Sequence, residues 1–490
     1  MSKHFESTFE SLRRYTCPEW FRDAKFGIWS HWGASSVAMK GDWYGRSIYI
    51  PGTEEYTYHW RTYGHPSKFG YKDLVQLWKA ENFNPEELME LYYQAGARYF
   101  MGQAMHHDHF FNYPSRYHRF NAGEMGPKKD ICGLWKRAAD TFHMPFGLSE
   151  HLGASYAWND ANKYCDLEGP YAGVPYDGND PEYRDFYIDN YDVIGEKRPT
   201  KWGFTSQWYT KNEEFREYWL KVIKEVIQKY EPDLLYSDGG LPFGELGVLP
   251  DSGDYRVGLE AVADLYNTSI DKYGENRAVY LQKDRRPEIY KVGILDVERS
   301  QLSELNEDPW HTDTCIGGWF YNKTQAYKKP GHVIEMLVDI ISKNGNLLLN
   351  IPQRPDGTID EESTYILKEI GSWFAICGEA VYGTRPWRLY GEGETSVVID
   401  GFTEDETKWT SSDYRFVKKG NTLYAYLMRT PKNGVVVIKS LKPEEKVRRV
   451  RLLGEGDVEF SQSFGVLTVK LPKKMPTRYV NCLALTLEER

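Results

Sequence analysis

The stretch Glu231-Pro-Asp-Leu-Leu-Tyr-Ser-Asp-Gly-Gly240 marks a switch from helical to strand periodicity, and it decides the fold. Upstream, Phe215, Trp219, Val222, Ile223, Val226, Ile227 and Tyr230 recur three or four residues apart, the spacing of one helical face. Glu231-Pro232 ends that helix, because a proline ring disfavours helical torsions in the residue before it. Leu234, Leu235 and Tyr236 then make a short apolar run of buried-strand length, broken by Gly239-Gly240. Asp238 is thereby expected at the carboxyl end of a strand, beside glycines that let another molecule come close.

The same helix-to-strand alternation runs from about residue 25 to residue 380, which predicts parallel strands joined by crossover helices. Strands are expected at residues 25–32, 99–105, 145–151, 234–238, 278–283, 293–298, 318–321 and 346–351. Eight such units predict a (β/α)8-like barrel over residues 1–385. His31, His106, His107, Glu150, His151, Asp238, Lys283, Arg285, Glu298 and Asn350 all fall at or just past carboxyl ends of these strands. A barrel gathers those ends on one face, so residues distant in sequence are expected to converge there. Residues 152–212 form a long excursion from that face, rich in aromatics such as Trp202 and Trp208, and are expected to shape a substrate cleft. Beyond residue 385 the pattern becomes short strands, at 396–399, 413–417, 422–428, 434–438, 447–453, 466–471 and 479–487. Residues 386–490 are accordingly expected to form a carboxyl-terminal antiparallel β-sandwich, with Trp373, Trp387 and residues 378–382 at its junction with the barrel.

Composition narrows the function. The net charge of -10 argues against nucleic acid or an anionic membrane as a partner, since either needs a basic surface. The six cysteines are widely spaced and make no Cys-x-x-Cys pair, so buried thiols are expected rather than a zinc site or disulfides. The first residues lack an apolar core of signal-peptide length, which fits a cytoplasmic protein, with a processed secreted form left open. Aromatic residues reach 15% of the chain, and flat rings with a polar edge suit the apolar faces of sugars. Carboxylates at strand ends, several histidines and no phosphate-binding loop point to a glycoside site in which Asp238 suits the nucleophile of a retaining enzyme.

Residues 21–33 (FRDAKFGIWSHWG), 41–46 (GDWYGR), 105–110 (MHHDHF), 115–120 (SRYHRF), 126–130 (GPKKD), 236–239 (YSDG) and 342–352 (SKNGNLLLNIP) together resemble the α-L-fucosidases of glycoside hydrolase family 29. The resemblance covers most of the barrel. It implies a retaining exo-hydrolase of terminal α-L-fucosyl residues, acting on a fucosylated oligosaccharide or glycoside, without cofactor or metal; a homo-oligomer is left open. It also implies that Asp238 is the nucleophile and that His31, His106, His107, Trp43 and Tyr236 contact the sugar. By the same resemblance Arg285 lies near the nucleophile and keeps it ionised, and Trp319 packs near the C5 methyl group. The family's frequent Trp-Glu is Trp310-His311 here, so the acid/base is assigned to Glu298, ahead of Glu245, Glu304 and Asp313. Gly41-Asp-Trp-Tyr44 and Phe146-Gly-Leu-Ser-Glu-His151 depart from the family's common forms, which opens the hydroxyl contacts, and with them tolerance of α-L-galactosides, to change. Two rival readings remain: a metal-dependent barrel hydrolase, prompted by His106-His-Asp-His109, and a non-catalytic fucose-binding protein.

Overall fold

The computed structural model describes residues 4–244, 254–397, 404 and 406–488. Eight parallel strands close a barrel in sequence order: β1 (Phe26–Ser30), β2 (Phe100–Met105), β3 (Phe146–Glu150), β4 (Leu234–Ser237), β5 (Val279–Gln282), β6 (Ile294–Asp296), β7 (Trp310–Cys315) and β8 (Gly345–Asn350). The helix before β4 spans Glu213–Tyr230 and buries the expected face. The Asn212 side chain accepts from Phe215 N at 3.0 Å to cap its start, and Glu231 ends it in a left-handed conformation.

Strand alternation divides the core in two. Leu234, Tyr236, Val279, Leu281, Ile294 and Leu348 fill the barrel interior with Trp29 and Tyr99. Leu235, Tyr280, Leu295, Leu347 and Leu349 face outward into the shell packed under the helices.

The seventh strand is not residues 318–321, which run as a loop, but Trp310–Cys315. Its pattern does not read as an apolar run because polar residues face the interior: His311 Nδ1 lies 2.5 Å from Asp296 Oδ1, and Asp313 Oδ2 accepts from Tyr236 Oη at 2.9 Å. Paired across the barrel, these groups are tolerated where single ones would cost several kcal/mol.

Among the described residues the carboxyl-terminal region has two antiparallel sheets, one of six strands and one of three, facing a shared core that includes Phe416, Leu423, Val436, Leu467 and Leu485. The expected strand at 396–399 is not seen at Ser396 and Val397, and residues 398–399 lie outside those described. Trp373 marks the junction, its Nε1 donating to Val480 O at 2.7 Å, whereas Trp387 packs inside the sandwich.

A second tie across the junction is charged. Asp339, buried on the helix Pro330–Ser342, meets Lys343 at 2.7 Å and Arg415 of the sandwich. Burial raises its carboxyl, but Lys343 and Arg415 together outweigh that and hold it below the usual carboxylate range. Asp339→Ala is therefore expected to cost about 3 to 5 kcal/mol, because two buried cations lose their counter-charge. A urea titration of unfolding measures it. Since the folded carboxyl is depressed, the stabilisation of the parent is complete above about pH 4 and falls as the pH drops through the folded value. The variant should lack that acid-side loss.

Candidate active site

Each strand delivers its functional residue by alternation. Beyond the last interior layer, the next inward positions are His31 after Trp29, Asp238 after Tyr236, Lys283 after Leu281 and Glu298 after Asp296. In β2 an extra residue between Gln103 and Met105 breaks the register against β3, which reverses the alternation and turns His106 inward opposite His151. These side chains line one cavity of about 1010 Å³ at the carboxyl ends of the strands.

At its floor the Asp238 carboxylate is held from two sides. Lys283 Nζ lies 2.5 Å from Oδ1, and His107 Nε2 lies 3.1 Å from Oδ2. His107 is oriented in turn by its Nδ1, which donates to His151 O at 2.7 Å. Burial works to raise the Asp238 carboxyl, but Lys283 and His107 outweigh it and hold it well below the usual range, so the group is an anion at neutral pH. The adjacent turn is tight. Gly239 has φ +116°, and a Cβ there would come within 2.5 Å of Tyr209 Oη, which donates to Gly240 O at 2.9 Å. Glycine is the residue that fits.

The ammonium of Lys283 also touches Glu298 Oε2. With both carboxylates on one nitrogen, their nearest oxygens are no more than about 5 Å apart. Burial would lower the Lys283 ammonium, yet Asp238 and Glu298 outweigh that and hold it well above its ordinary value.

The walls are imidazoles and rings. His31, His106 and His151 are buried, and burial brings His31 down to about 3 and the other two well below the ordinary histidine value. Neutral imidazoles donate at one nitrogen and accept at the other, which matches hydroxyl groups that do both. Nδ1 of His31 and of His151 have no hydrogen-bond partner among the described residues. The three rings each offer a nitrogen within 4.8 Å of the others, so among the described residues these three could share a metal ion. His109, by contrast, faces away, bonding Phe186 O and Tyr218 Oη, which leaves the His-His-Asp-His run as two site histidines and one structural one.

Asn350 accepts from His31 N at 2.9 Å and donates to Trp319 O at 2.9 Å, tying β8 to β1 and to the loop that carries Trp319 and Phe320. Trp319 and Phe320 lie 5.4 and 4.8 Å from the His31 ring. Tyr236 places its ring under Lys283 Nζ, 5.4 Å from the centroid. Trp43, in a left-handed turn at φ 59°, faces His107 edge-on at 5.9 Å. Asp42 beside it lies 3.9 Å from His106 Nε2 and is pushed up to about 7 by burial.

Of the residues expected from the sequence, Asp238, Glu298, His31, Trp43, His106, His107, Tyr236 and Trp319 come together in the cavity. Arg285 does not: β5 ends at Gln282, whose side chain accepts from Asp284 N at 2.6 Å, and the chain turns outward, leaving Arg285 exposed. The cation beside Asp238 is Lys283, two residues earlier and at the inward position. Glu304 is exposed, and Glu245 lies outside the described residues. Asp313 sits beneath Tyr236 as its hydrogen-bond acceptor and is pushed well up by burial. Glu150 accepts from Trp219 Nε1 at 3.1 Å and supports the wall from behind. Lys283 and His151 were visible at strand ends without a role, and the period of two along β5 and β3 was the signal that pointed them inward.

Carboxylates this close leave no room for a water molecule between the second acid and the anomeric carbon, as an inverting enzyme requires, so the site belongs to a glycoside hydrolase of the retaining kind. A family model for alpha-L-fucosidase matches residues 1–379, and one for the alpha-L-fucosidase C-terminal domain matches residues 404–486. The chain belongs to the alpha-L-fucosidase family. It is 27% identical to the tissue alpha-L-fucosidase of Mus musculus, over 97% of this chain and 92% of that protein. It is also 27% identical to the plasma alpha-L-fucosidase of Homo sapiens, over 98% and 92%. The Thermotoga maritima alpha-fucosidase, solved in complex with a mechanism-based inhibitor, aligns with a TM-score of 0.74 at 25% identity, over 98% of this chain and 100% of that one.

Proposed function

We propose that the protein hydrolyses terminal α-L-fucosides by double displacement, with Asp238 as nucleophile and Glu298 as acid/base. The observation that carries this reading is the shared ammonium of Lys283, which keeps the two carboxylates at the separation a retaining reaction needs. In the first step the Asp238 carboxylate attacks C1 while Glu298, having taken up a proton from solvent beforehand, gives that proton to the departing oxygen. Negative charge leaves Asp238 as the ester bond forms and appears on Glu298 as its proton departs. Lys283 bonds to both and follows that charge without moving far, a preorganised countercharge throughout the step. In the second step Glu298 takes a proton from water, which attacks C1, and the charge returns to Asp238. The neutral histidines hold the sugar hydroxyls, and Trp319 with Phe320 forms the apolar side that accommodates the C5 methyl.

The test is proton NMR of the first turnover of an aryl α-L-fucoside, in which α-L-fucose should appear before its β anomer. Initial release of β-L-fucose, or fucose binding without turnover, would overturn the reading.

Lys283→Met is expected to lower kcat by about 10²- to 10³-fold, the loss typical of removing one group aimed at developing charge. It also makes a signed pH prediction. Lys283 opposes the effect of burial on Asp238, so its removal raises the Asp238 carboxyl and moves the acid limb of kcat/KM to higher pH. An unshifted acid limb would mean that Lys283 does not act on Asp238.

A further inference from the structure

The chain turns sharply just after Glu298. Arg299 takes a left-handed conformation at φ 45°, its N donates to Asp313 O at 2.8 Å, and its side chain lines the cavity. That sets a guanidinium next to a carboxyl that has to carry a proton, and an opposite charge a few ångströms away favours the ionised form. Among the described residues Glu298 is faced by Lys283 past β5, Asp238 and Tyr236 from β4, Asp42 after β1, Asp296 one layer below on β6 and Asp313 on β7. Lys283 is the one cation of that set, and it is shared with Asp238. A second cation on Glu298 would hold it as an anion.

Arg299 is drawn off instead by Glu404, which lies beyond the barrel, between the strands Arg385–Glu392 and Tyr414–Lys419. Arg299 Nε lies 2.9 Å from Glu404 Oε2, and Lys328 Nζ lies 3.0 Å from the same oxygen. The other oxygen accepts from Thr314 Oγ1. Lys328 is itself fixed, donating to Cys315 O at 2.6 Å, and His332 Nε2 lies 3.1 Å from Glu404 O. The Glu404 side chain is only 5% exposed. A carboxylate so buried is stable only when its charge and both oxygens are matched. Here the partners all belong to the barrel: Arg299 just past β6, Thr314 on β7 and Lys328 beyond it.

We infer that Glu404, supplied by the carboxyl-terminal region, is a positioning residue of the active site: it binds the Arg299 guanidinium and keeps a second cation off Glu298, so that Glu298 can serve as the acid. The inference rests on the fucosidase reading with Glu298 as acid/base, and adds a residue outside the barrel that this role depends on.

The experiment follows kcat/KM against pH for phenyl α-L-fucoside, whose leaving group needs a proton, and for a nitrophenyl α-L-fucoside, whose leaving group needs little. In Glu404→Gln the basic limb for the phenyl substrate should move down by about one pH unit, a tenfold loss on the alkaline side, with the nitrophenyl rate within about twofold of the parent. Adding Arg299→Gln to that variant should return the limb most of the way, because the loose cation is then gone. Glu404→Asp keeps the charge but draws it back from Arg299. It should shift the limb in the same direction by less, and it serves where the amide variant does not fold. An unshifted limb, an equal loss on both substrates, or a limb that Arg299→Gln does not restore overturns the inference and leaves Glu404 a structural tie alone. If the parent turns over neither substrate the fucosidase reading has failed, and if Glu298→Gly keeps full rate on the phenyl substrate the acid/base assignment has failed; both outcomes are distinct from an unshifted limb in an active enzyme.

Discussion

Asp238→Gly is expected to lose at least about 10⁴-fold in kcat on an aryl α-L-fucoside while keeping its fold, because a nucleophile acting within a catalytic unit has no substitute in water. The fold should persist because Asp238 lies past the end of β4, and Lys283 keeps Glu298 as a partner when the aspartate is gone. The variant leaves a hollow on the face of the sugar where Oδ2 stood, next to His107. Azide, small and anionic, fits there and faces the remaining cation. Attack from that position inverts C1 once, so azide should restore turnover and yield the β-L-fucosyl azide. Recovery without that product, or an unaffected rate, would remove Asp238 from the nucleophile role.

Glu298→Gly makes the mirror-image prediction. Loss of proton transfer should lower kcat/KM by about 10²- to 10⁴-fold on a substrate with a poor leaving group. A nitrophenolate needs little protonation, so its fucoside should still form the glycosyl-enzyme, which then accumulates because no base activates water. Azide needs no base. It should enter from the face the leaving group vacated and yield the α-L-fucosyl azide, the opposite anomer to that of the Asp238 variant. Two substitutions on opposite sides of one ammonium thus give opposite stereochemistry. Should Glu298→Gly retain full rate on poor leaving groups, Asp42 is the next acid to substitute, since it lines the same cavity and burial pushes it up to about 7.

Much of the site was legible because a parallel barrel converts sequence position into spatial position by a simple rule. A residue just past the carboxyl end of a strand is on the active face, and parity along the strand decides whether it points in. His31, Asp238 and Glu298 follow that rule directly. It failed where the chain does something parity does not describe. Arg285 sits at an inward-parity position, but β5 stops three residues earlier and the chain turns away, so Lys283 took the place expected for it. The seventh strand escaped notice because its inward residues, His311 and Asp313, are polar, and their partners Asp296 and Tyr236 lie on other strands. No local pattern distinguishes such a strand from a polar loop.

The sequence alone determined the barrel and the sheets that follow it, and it placed Asp238 at the carboxyl end of a barrel strand, since those depend on periodicities of two and 3.6 and on residues adjacent in the chain. Only the tertiary structure decided which cation serves Asp238 and that Glu298 shares it. Those facts depend on distances between residues 15 and 45 positions apart along the chain. Closure of the barrel sets such distances, and the order of residues along the chain does not contain them.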